Sequence, residues 1–509
     1  MIANVHSSTL DGIDAVLVDV ECEVSRGLPA FRLVGLPATA VKEGATRIRC
    51  ALLSLGEDLP LKKVTVNLAP ADLRKPGAAL DLPIALSVML ASGAPPDAVE
   101  DLLVLGELGL DGSVREVHGV LAAAMLAKER GLRGVIVPAA CAAEAVVVAG
   151  IEVYGVAHLA QLSRAVLDGA PLPRAHVLPA RSVAAPTVDM ADVRGQLAAR
   201  RAIEIAVAGG HNLLFSGPPG TGKTMLARRI PTILPPLTHD EALETTKVYS
   251  SIGLASGLVT ERPFRAPHHS ISQQALIGGG TVPRAGEISL AHNGVLFLDE
   301  LPEFARVAIE SLRQPLEERS VTIGRIHSTI AFPASFLLVA AANPCPCGFL
   351  GSGTRECTCT LSTIERYRLR LSGPLLDRID LQVHVLPVPL EQLRRAPPGE
   401  SSAAIRARVV EARERQKARL ARHGLHCNAE MSSRVMRSTC ALTDAAEDTL
   451  FRIAHARSTF TARGVDRLIK VARTIADLDG ALAIEPDHLA EAASFRAVDP
   501  LAAPIGAVA

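Results

Sequence analysis

A glycine-rich loop followed by a lysine and a threonine lies near the middle of the chain. The stretch GPPGTGKT fits the spacing G-x-x-x-x-G-K-[ST] and lies between an apolar strand, NLLFS, and a helical segment, MLARRI. In this context the glycines let backbone N–H groups wrap phosphates at a helix N-terminus. We expect Lys223 to reach the outer phosphates of ATP and Thr224 to hold Mg²⁺. The predicted nucleotide-binding loop consists of Gly217, Pro218, Pro219, Gly220, Thr221, Gly222, Lys223 and Thr224.

Two further apolar strands end in side chains that suit ATP hydrolysis. GVLFLDE ends in Asp299 and Glu300, and SFLLVAAAN ends in Asn343. Asp299 can position Mg²⁺, Glu300 can polarise the attacking water as a general base, and the Asn343 amide can orient that water. The adjacent His268 and His269 of RAPHHSIS do not share a helix face, and we expect structural roles for them. This order of elements resembles the AAA+ ATPases and predicts an α/β core with a parallel sheet.

Four of the nine cysteines crowd into a short glycine-rich segment directly after the Asn343 strand. Cys345, Cys347, Cys357 and Cys359 form the pattern C-x-C-x₉-C-x-C. Four thiolates close in sequence suit tetrahedral Zn²⁺, although C-x-C is a tighter spacing than the usual C-x-x-C. A structural zinc knuckle is our first interpretation, and a reduced loop without metal is the alternative. No partnered histidine and acid accompany the thiols, which disfavours a catalytic cysteine.

The composition excludes several classes of protein. Lys and Arg number 53, and Asp and Glu also number 53. The resulting net charge of zero disfavours a protein that coats nucleic acid by bulk charge. No apolar run approaches the ~18 residues of a membrane span. The opening residues, MIANVHSSTLDGIDA, lack a basic and then apolar signal pattern, so we expect a cytoplasmic protein with reduced thiols and no membrane partner.

Two proline-rich stretches divide the chain into three blocks. The first block alternates strand-like and helical segments, the middle block does so around the glycine-rich loop, and the last block is rich in helix formers. The Arg-rich segment of the last block has acids at helical spacing and reads as a solvated helix face. The predicted units are 1–170, an α/β domain; 171–190, a linker; 191–395, the ATPase core with a cysteine-rich insert at 345–359; and 396–509, a helical lid.

Several motifs together resemble the magnesium-chelatase-like AAA+ ATPases of the competence protein ComM (YifB) family. They are GVLFLDELPEF, AANPCPCG, SGPLLDRIDL and ARTIADL, and the resemblance covers nearly the whole chain. The resemblance implies a homo-oligomeric ring, expected as a hexamer, that drives branch migration of DNA junctions in homologous recombination and natural transformation. Its implied partners are single-stranded and branched DNA. A magnesium chelatase subunit acting on a porphyrin, and an ATPase that remodels proteins without DNA activity, remain open as alternatives.

The resemblance also implies two arginines that act on the nucleotide. SGPLLDRIDL supplies Arg378 and resembles the arginine-finger segment of magnesium chelatase ATPase subunits and minichromosome maintenance helicases. An ion pair within the domain, with Asp377 or Asp380, is the competing interpretation. FTARGVDRLIKVARTIADLDG resembles a lid helix that brings a second arginine to the nucleotide. Arg463 is the predicted residue, and Arg467 is the fallback.

Three other segments are assigned by position. DVRGQLAARRAIEIAVAGGHN matches the element that closes over adenine, with Val193 and Gln196 nearest the base. RSVTIGRIHSTIAFPASF alternates apolar and polar residues and reads as a β-hairpin with Arg325 and His327 near its turn. In related helicases this hairpin and the glycine loop at 278–280 point into the ring pore. Arg325 and His327 are therefore predicted DNA phosphate contacts, with ordinary surface turn residues as the alternative.

The first block resembles the proteolytic domain of Lon-type proteases. The matching stretches are VNLAPADLRKPGAALDLPIAL and LGELGLDGSVREVHGVLAAAMLAKERGLRGVIVP. That family uses a Ser–Lys dyad, and the match puts Ala79 at the serine position and Leu121 at the lysine position. Neither can act as nucleophile or base, so we predict an inactive domain used for interaction or assembly. A dedicated chelatase ATPase subunit lacks this block, which argues against the chelatase alternative.

Overall fold

Two large sheets carry the first and middle blocks of the chain, and helices make up most of the last block. The structure is a computed structural model. It describes residues 2–56, 62–75, 77–176, 188–255, 257–280, 283–324, 329–353, 355–389, 397–456 and 461–496. Within those ranges, no helix combines the length and the apolar character that crossing a bilayer requires.

The elements are numbered in chain order. The strands are β1 Ile2–Asp11, β2 Asp14–Ser25, β3 Ala30–Val34, β4 Lys63–Ala69, β5 Leu102–Val104, β6 Glu107–Leu108, β7 Val114–Arg115, β8 Gly134–Pro138, β9 Glu152–Val156, β10 Leu213–Ser216, β11 Phe264–Arg265, β12 Gly278–Gly279, β13 Arg284–Ala285, β14 Val295–Leu298, β15 Ser320–Gly324, β16 Thr329–Pro333, β17 Leu337–Ala342 and β18 Leu381–His384. The α-helices are α1 Thr39–Ser54, α2 Asp81–Ala91, α3 Val120–Glu129, α4 Ala142–Ala145, α5 Leu159–Leu167, α6 Leu197–Gly209, α7 Lys223–Ile233, α8 His239–Ser251, α9 Gln273–Ile277, α10 Glu287–Leu290, α11 Arg306–Glu310, α12 Arg313–Glu318, α13 Leu361–Arg368, α14 Gly373–Leu376, α15 Ser402–Leu420, α16 Ser433–Thr439, α17 Asp444–Ala456, α18 Ala462–Leu478 and α19 Pro486–Ser494.

The first block forms a seven-stranded mixed sheet in the order β3-β4-β2-β1-β5-β8-β9. Its centre is a long antiparallel hairpin in which Ile2 lies opposite Glu23 and Asp11 lies opposite Asp14. Gly12 makes the tight turn of this hairpin possible because its φ is +70°, a conformation that costs glycine little. Helix α2 packs against β1 and β2 and is buried along its whole length. The predicted mixed α/β character of the block is confirmed.

The middle block forms a five-stranded sheet in the order β11-β14-β17-β10-β18, and every neighbouring pair is parallel. Every residue of β10, β14 and β17 is buried, which fits strands covered on both faces by helices. In a parallel sheet the carboxyl ends of the strands meet at one edge, where ligands bind. The loops that follow β10, β14 and β17 therefore lie beside one another, and the predicted parallel α/β core is confirmed.

A β-hairpin is inserted between β14 and β17. Strands β15 and β16 pair antiparallel, with Ser320 opposite Pro333 and Gly324 opposite Thr329, as the alternation in the sequence predicts. The two residues predicted to contact DNA, Arg325 and His327, lie outside the described residues.

The helices of the last block share one core with the middle block. A continuous cluster of buried apolar side chains runs from Met190 through Phe215 to Phe495. Helix α15 packs on α6 and α7, and three of its arginines, Arg408, Arg415 and Arg419, bind acids of the same chain. The predicted helical character of the last block is confirmed. The predicted boundaries fall partly on residues outside the described ranges and stay predictions.

The first block packs on the ATPase core through helix α8 and the β15–β16 hairpin. Ile13, from the turn between β1 and β2, is buried in one apolar cluster with Val248, Ile330 and Phe332. Beside it, the Ser250 hydroxyl donates a buried hydrogen bond of 2.5 Å to the carboxylate of Glu144. The N-terminal sheet therefore rests directly on the inserted hairpin.

Candidate nucleotide site and cysteine cluster

The glycine-rich loop takes its shape from close backbone approaches that only glycine allows. A Cβ on Gly217 would lie 2.3 Å from the carbonyl oxygen of Val385, which follows β18. Gly220 and Gly222 have φ values of +80° and +90°, which strain any other residue. Gly222 caps helix α7, so the loop delivers its N–H groups to the N-terminus of that helix.

Lys223 places a buried ammonium group inside the loop. Its Nζ donates to the carbonyl oxygens of Gly217 and Pro218 at 2.7 and 2.8 Å. Burial lowers the pKa of Lys223 to about 8, against the opposing charges of Asp299 and Glu300. Among the described residues, no carboxylate lies within 4 Å of this ammonium to form an ion pair. A buried cation without an ion-pair partner, next to N–H groups at a helix N-terminus, fits the triphosphate of ATP.

The pair of side chains predicted to hold Mg²⁺ is assembled in the structure. The Thr224 hydroxyl donates a 2.7 Å hydrogen bond to Oδ2 of Asp299, and the other carboxylate oxygen accepts the Glu300 N–H at 3.0 Å. A hydroxyl and a carboxylate are the oxygen ligands that Mg²⁺ uses together with phosphate oxygens. The donor set therefore fits the ion, and Thr224 and Asp299 are the residues that would hold it.

Glu300 projects from a strained point of the backbone towards a histidine. Its φ is +52°, in the left-handed region, and its side chain is half exposed. Nδ1 of His269 lies 3.4 Å from its carboxylate, and the His269 ring meets Phe304 edge-on. Sequence reasoning missed His269 as a member of the site. The available signal was its position shortly after β11, the strand next to β14 in the sheet.

Asn343 links strand β17 to the glycine-rich loop. It follows the last residue of β17, and its Oδ1 accepts a hydrogen bond of 3.2 Å from Nζ of Lys223. The amide therefore lies beside the ammonium that would bind the phosphates. The structure brings Lys223, Thr224, Asp299, Glu300 and Asn343 together, and their individual roles stay predictions.

The two residues predicted beside adenine differ in their placement. Nε2 of Gln196 donates to the carbonyl oxygens of Thr221 and Leu386, at 3.3 and 2.7 Å, so Gln196 lies against the nucleotide loop. The side chain of Val193 is fully buried in the shared core. Contact of either residue with the base stays a prediction.

Arg378 lies at the opposite end of β10 from the glycine-rich loop. Its carbonyl oxygen accepts a 2.9 Å hydrogen bond from Asn212, which precedes the strand, whereas the loop follows it. Four strand residues separate these ends by about 13 Å. The guanidinium is 8% exposed and binds Glu317 and the carbonyl oxygen of Pro374.

The in-chain partner of Arg378 is thus Glu317. The competing interpretation named Asp377 or Asp380 instead. Asp380 lies 3.6 Å from Arg467, the fallback lid residue. Arg463 is exposed in the first turn of α18. A role for Arg378 or Arg463 at the nucleotide stays a prediction.

The four cysteines of the insert converge on one point. The Sγ atoms of Cys345, Cys347 and Cys357 lie 3.4 to 3.7 Å apart, and all four sulfurs lie within 4.8 Å of one another. A disulfide would need an S–S distance of about 2.05 Å. Zinc–sulfur bonds of about 2.3 Å in a tetrahedron place sulfurs about 3.8 Å apart. The sulfur arrangement therefore fits one tetrahedral metal ion.

Backbone N–H groups point at these sulfurs. The N–H of Phe349 is the main cause that lowers the pKa of the Cys347 thiol to about 6, with the N–H of Thr358 acting in the same direction. Such donors stabilise thiolates, the form in which cysteine binds metal.

The two positions matched to the protease dyad belong to one apolar cluster. Leu121 is fully buried in an apolar cluster of the first block, and Ala79 packs against the same cluster. The assignment of these two residues to the dyad positions stays a prediction. Neither residue carries a nucleophile or a base.

Three family models match the chain. The model described as magnesium chelatase, subunit ChlI, matches residues 189–393. The model described as subunit ChlI of Mg-chelatase matches residues 20–141, and the model of the ChlI C-terminal region matches residues 399–496.

Full-length relatives are more informative. The chain is similar to the competence protein ComM of Haemophilus influenzae, at 44% identity over 506 residues that cover 98% of each chain. It is also similar to the uncharacterized protein YifB of Escherichia coli, at 44% identity over 511 residues, 98% of this chain and 97% of that protein. A partial similarity to Lon protease 2 of Bacillus subtilis, at 26% identity, covers 30% of this chain and 32% of that protein.

Proposed function

The chain belongs to the magnesium-chelatase-like AAA+ ATPase family that includes the YifB and ComM proteins, and from this membership we propose that it is an ATP-driven motor on branched DNA. The reaction would be branch migration in homologous recombination and natural transformation. The observation that carries the proposal is the similarity to ComM over 98% of both chains, which includes the hairpin inserted into the ATPase core.

Hydrolysis of ATP would use the residues at the carboxyl edge of the parallel sheet. Lys223 binds the outer phosphates, and Thr224 and Asp299 hold Mg²⁺, which when bound neutralises charge on the phosphate oxygens. Glu300 polarises the attacking water and accepts its proton, while the Asn343 amide orients that water. Family membership carries the requirement for ATP and Mg²⁺.

Contact with DNA would depend on local positive charge. The net charge of the chain is zero, so a DNA-binding surface must be confined to part of the molecule. We assign the DNA phosphate contacts to Arg325 and His327, which lie in the sequence between β15 and β16, and we place these contacts in the pore of a homo-hexameric ring. Single-stranded and branched DNA are the proposed partners.

The cysteine cluster is proposed to hold one zinc ion per chain. Cys345, Cys347, Cys357 and Cys359 supply four sulfurs at tetrahedral separations. Metal analysis of protein purified without added zinc tests the site directly. We expect about one zinc per chain, falling to background after Cys357→Ala combined with Cys359→Ala. Background metal in the unaltered protein would contradict the proposal.

Two alternatives compete with the DNA motor. The family models name a magnesium chelatase subunit for both the middle and the first block, so the presence of the first block does not argue against a chelatase. Full-length similarity to ComM favours the motor, because it spans all three blocks of the chain. A protein-remodelling ATPase would share the same nucleotide site and differ only in its response to DNA.

Labelled three- and four-strand DNA junctions test the motor directly. We expect strand exchange with ATP at low salt, and ATP turnover that is stimulated most by junctions. Glu300→Gln should bind junctions without resolving them, which separates binding from movement. If turnover ignores single-stranded, duplex and junction DNA alike and the junctions stay intact, the protein-remodelling alternative replaces the motor.

A further inference from the structure

The cysteine insert contacts the nucleotide loop through one glycine. In the sequence, Gly348 lies between the pair Cys345 and Cys347 and the pair Cys357 and Cys359, and its φ is +83°. A Cβ at this position would lie 2.7 Å from Cδ of Pro219 in the loop and 3.8 Å from Cγ of Asn343. The backbone of the insert therefore packs directly on the glycine-rich loop and lies beside the side-chain amide of Asn343.

The position of Gly348 depends on the sulfurs. Its N–H donates to the carbonyl oxygen of Cys345 at 2.9 Å, which closes a tight turn. Cys347 directly precedes Gly348 in the chain, and its Sγ lies 3.4 Å from that of Cys345, so both cysteines of the first pair flank this turn. The turn that touches Pro219 is thus organised around the cysteine cluster.

The other end of the insert leads to the segment that follows Glu300. Helix α13 begins two residues after Cys359, and its Tyr367 is buried. Arg370 follows this helix and binds the carboxylate of Glu303 and the carbonyl oxygen of Pro302, at 2.9 and 3.1 Å. The cysteine cluster therefore lies on a chain segment that contacts both the phosphate loop and the segment carrying the general base.

We propose that zinc in the four-cysteine site holds Gly348 against Pro219, so that zinc occupancy sets the affinity of the protein for ATP. The inference rests on the proposed zinc and ATP sites and adds their coupling. The insert is glycine-rich, and metal ligation supplies the order that apolar packing does not. Without the metal, the turn at Gly348 is released, and the loop loses a contact that pre-organises its N–H groups for phosphate.

A pair of glycine substitutions isolates the contact from the metal. Gly348 and Gly353 lie in the same insert with φ values of +83° and +66°, so alanine strains the backbone at both. A Cβ at Gly353 meets nothing within 4 Å, whereas a Cβ at Gly348 meets Pro219. We expect both variants to keep zinc. Gly348→Ala should weaken binding of fluorescent ATP about tenfold or more relative to Gly353→Ala, because overpacking displaces the loop.

A second pair of variants tests the metal. Cys359→Ala removes one ligand, and Cys359→His replaces it with another that zinc accepts. Zinc content and ATP dissociation constant are measured on each variant without DNA. We expect Cys359→Ala to lose zinc and bind ATP more weakly, and Cys359→His to restore both.

The outcomes separate this coupling from the motor function. If Cys359→Ala loses zinc with unchanged ATP affinity, or if Gly348→Ala and Gly353→Ala bind ATP alike, the coupling is overturned while junction movement by the unaltered protein still supports the motor. If the unaltered protein binds zinc and ATP but moves no junction, the motor function is contradicted. In that case the coupling is still supported if Cys359→Ala loses both zinc and affinity for ATP. Absence of zinc from the unaltered protein overturns the coupling.

Discussion

Glu300 is held in a backbone conformation that costs free energy. A non-glycine residue in the left-handed region is disfavoured by roughly 1–3 kcal/mol, and such residues persist where the surrounding structure fixes them. Here the 3₁₀ turn Leu301–Glu303 follows at once, and the Asp299 carboxylate accepts the Glu300 N–H. The Asp299 carboxylate binds the Thr224 hydroxyl, whereas the Glu300 carboxylate lies 3.4 Å from His269, so one acid can serve the metal and the next one the water.

The first prediction concerns this division between two neighbouring acids. Glu300→Gln keeps the shape of the side chain and removes its ability to accept a proton. We expect ATP binding close to normal and turnover reduced about 10²–10⁴-fold. Binding of fluorescent ATP and steady-state phosphate release measure the two quantities separately.

Asp299→Asn is the matched variant. The ATP turnover that it loses should be restored in part by a higher Mg²⁺ concentration. Loss of ATP binding in Glu300→Gln, comparable to that of Lys223→Ala, would contradict the assignment of Glu300 to the chemical step.

At the residue level the sequence was most informative where one motif fixes both spacing and chemistry. A glycine-rich loop, an acid pair and an amide follow three apolar strands in the sequence. This order was enough to predict that Lys223, Thr224, Asp299 and Asn343 lie close together, as they do in the structure. It was least informative for contacts between distant segments. His269 reaches Glu300 only because β11 lies beside β14, and no local pattern shows which strands are neighbours.

Among the elements, the β15–β16 hairpin connects the N-terminal sheet to the ATPase core. Ile330 and Phe332 of β16 are buried against Ile13 from the turn between β1 and β2. A Cβ on Gly12 in this turn would lie 2.6 Å from Ile330, so the contact is a close one. The first block therefore supports the hairpin that carries the proposed DNA contacts.

The second prediction places DNA affinity on this hairpin. Arg325→Ala should weaken binding to DNA of every sequence and reduce the salt dependence of binding, because one phosphate contact and its released counterions are lost. Basal ATP turnover should stay close to normal. Arg49→Ala, an exposed arginine on α1, is the control and should change neither quantity. Equal DNA affinities for the two variants would remove Arg325 from the DNA-binding surface.

The third prediction concerns the first block as an enzyme. Ala79 and Leu121 occupy the dyad positions in one apolar cluster, so the block has no nucleophile or base there. We expect no cleavage of unfolded casein by the full chain, with or without ATP, measured over hours by gel electrophoresis. ATP-dependent cleavage that persists through repurification would show that another residue of the chain acts as nucleophile.

Element prediction succeeded where periodicity was clear and failed at the first hairpin. The core strands β10, β14 and β17 and the β15–β16 pair were expected from apolar or alternating runs. The long β1–β2 hairpin was not. Its signal was present as Gly12, which takes the first position of the two-residue turn Gly12-Ile13, as glycine does in one common type of hairpin turn. The polar residues of β1 masked the alternation, because Ser7 and Ser8 are buried.

For the whole molecule, the shared core determines which parts can move independently. The apolar cluster that joins Met190 to Phe495 makes the ATPase core and the helical block one packed unit. The first block is tied to this unit by the buried Ser250–Glu144 hydrogen bond and the ion pair of Lys247 with Asp14. Chain order alone predicted three units. It could not predict these contacts, because their residues lie more than a hundred positions apart.

The arrangement of this unit separates Arg378 from the nucleotide loop of its own chain. Its backbone lies beside Asn212 at one end of β10, and the glycine-rich loop lies at the other end. An arginine there can act on a nucleotide only if a second copy of the chain presents its loop to it. The in-chain ion pair with Glu317 would then position the guanidinium for the neighbouring subunit, since Glu317 is half exposed.

The fourth prediction tests this sharing of a site between subunits. Arg378→Ala should bind ATP nearly normally and turn it over roughly 10³-fold more slowly. Lys223→Ala should fail to bind ATP. Mixing these two inactive proteins should restore part of the turnover, because some mixed interfaces combine an intact loop with an intact arginine. Glu317→Ala keeps the arginine and removes only the carboxylate that positions it, so it should lower turnover less than Arg378→Ala does. If the mixture stays inactive while both proteins co-assemble, Arg378 does not act on its neighbour's nucleotide.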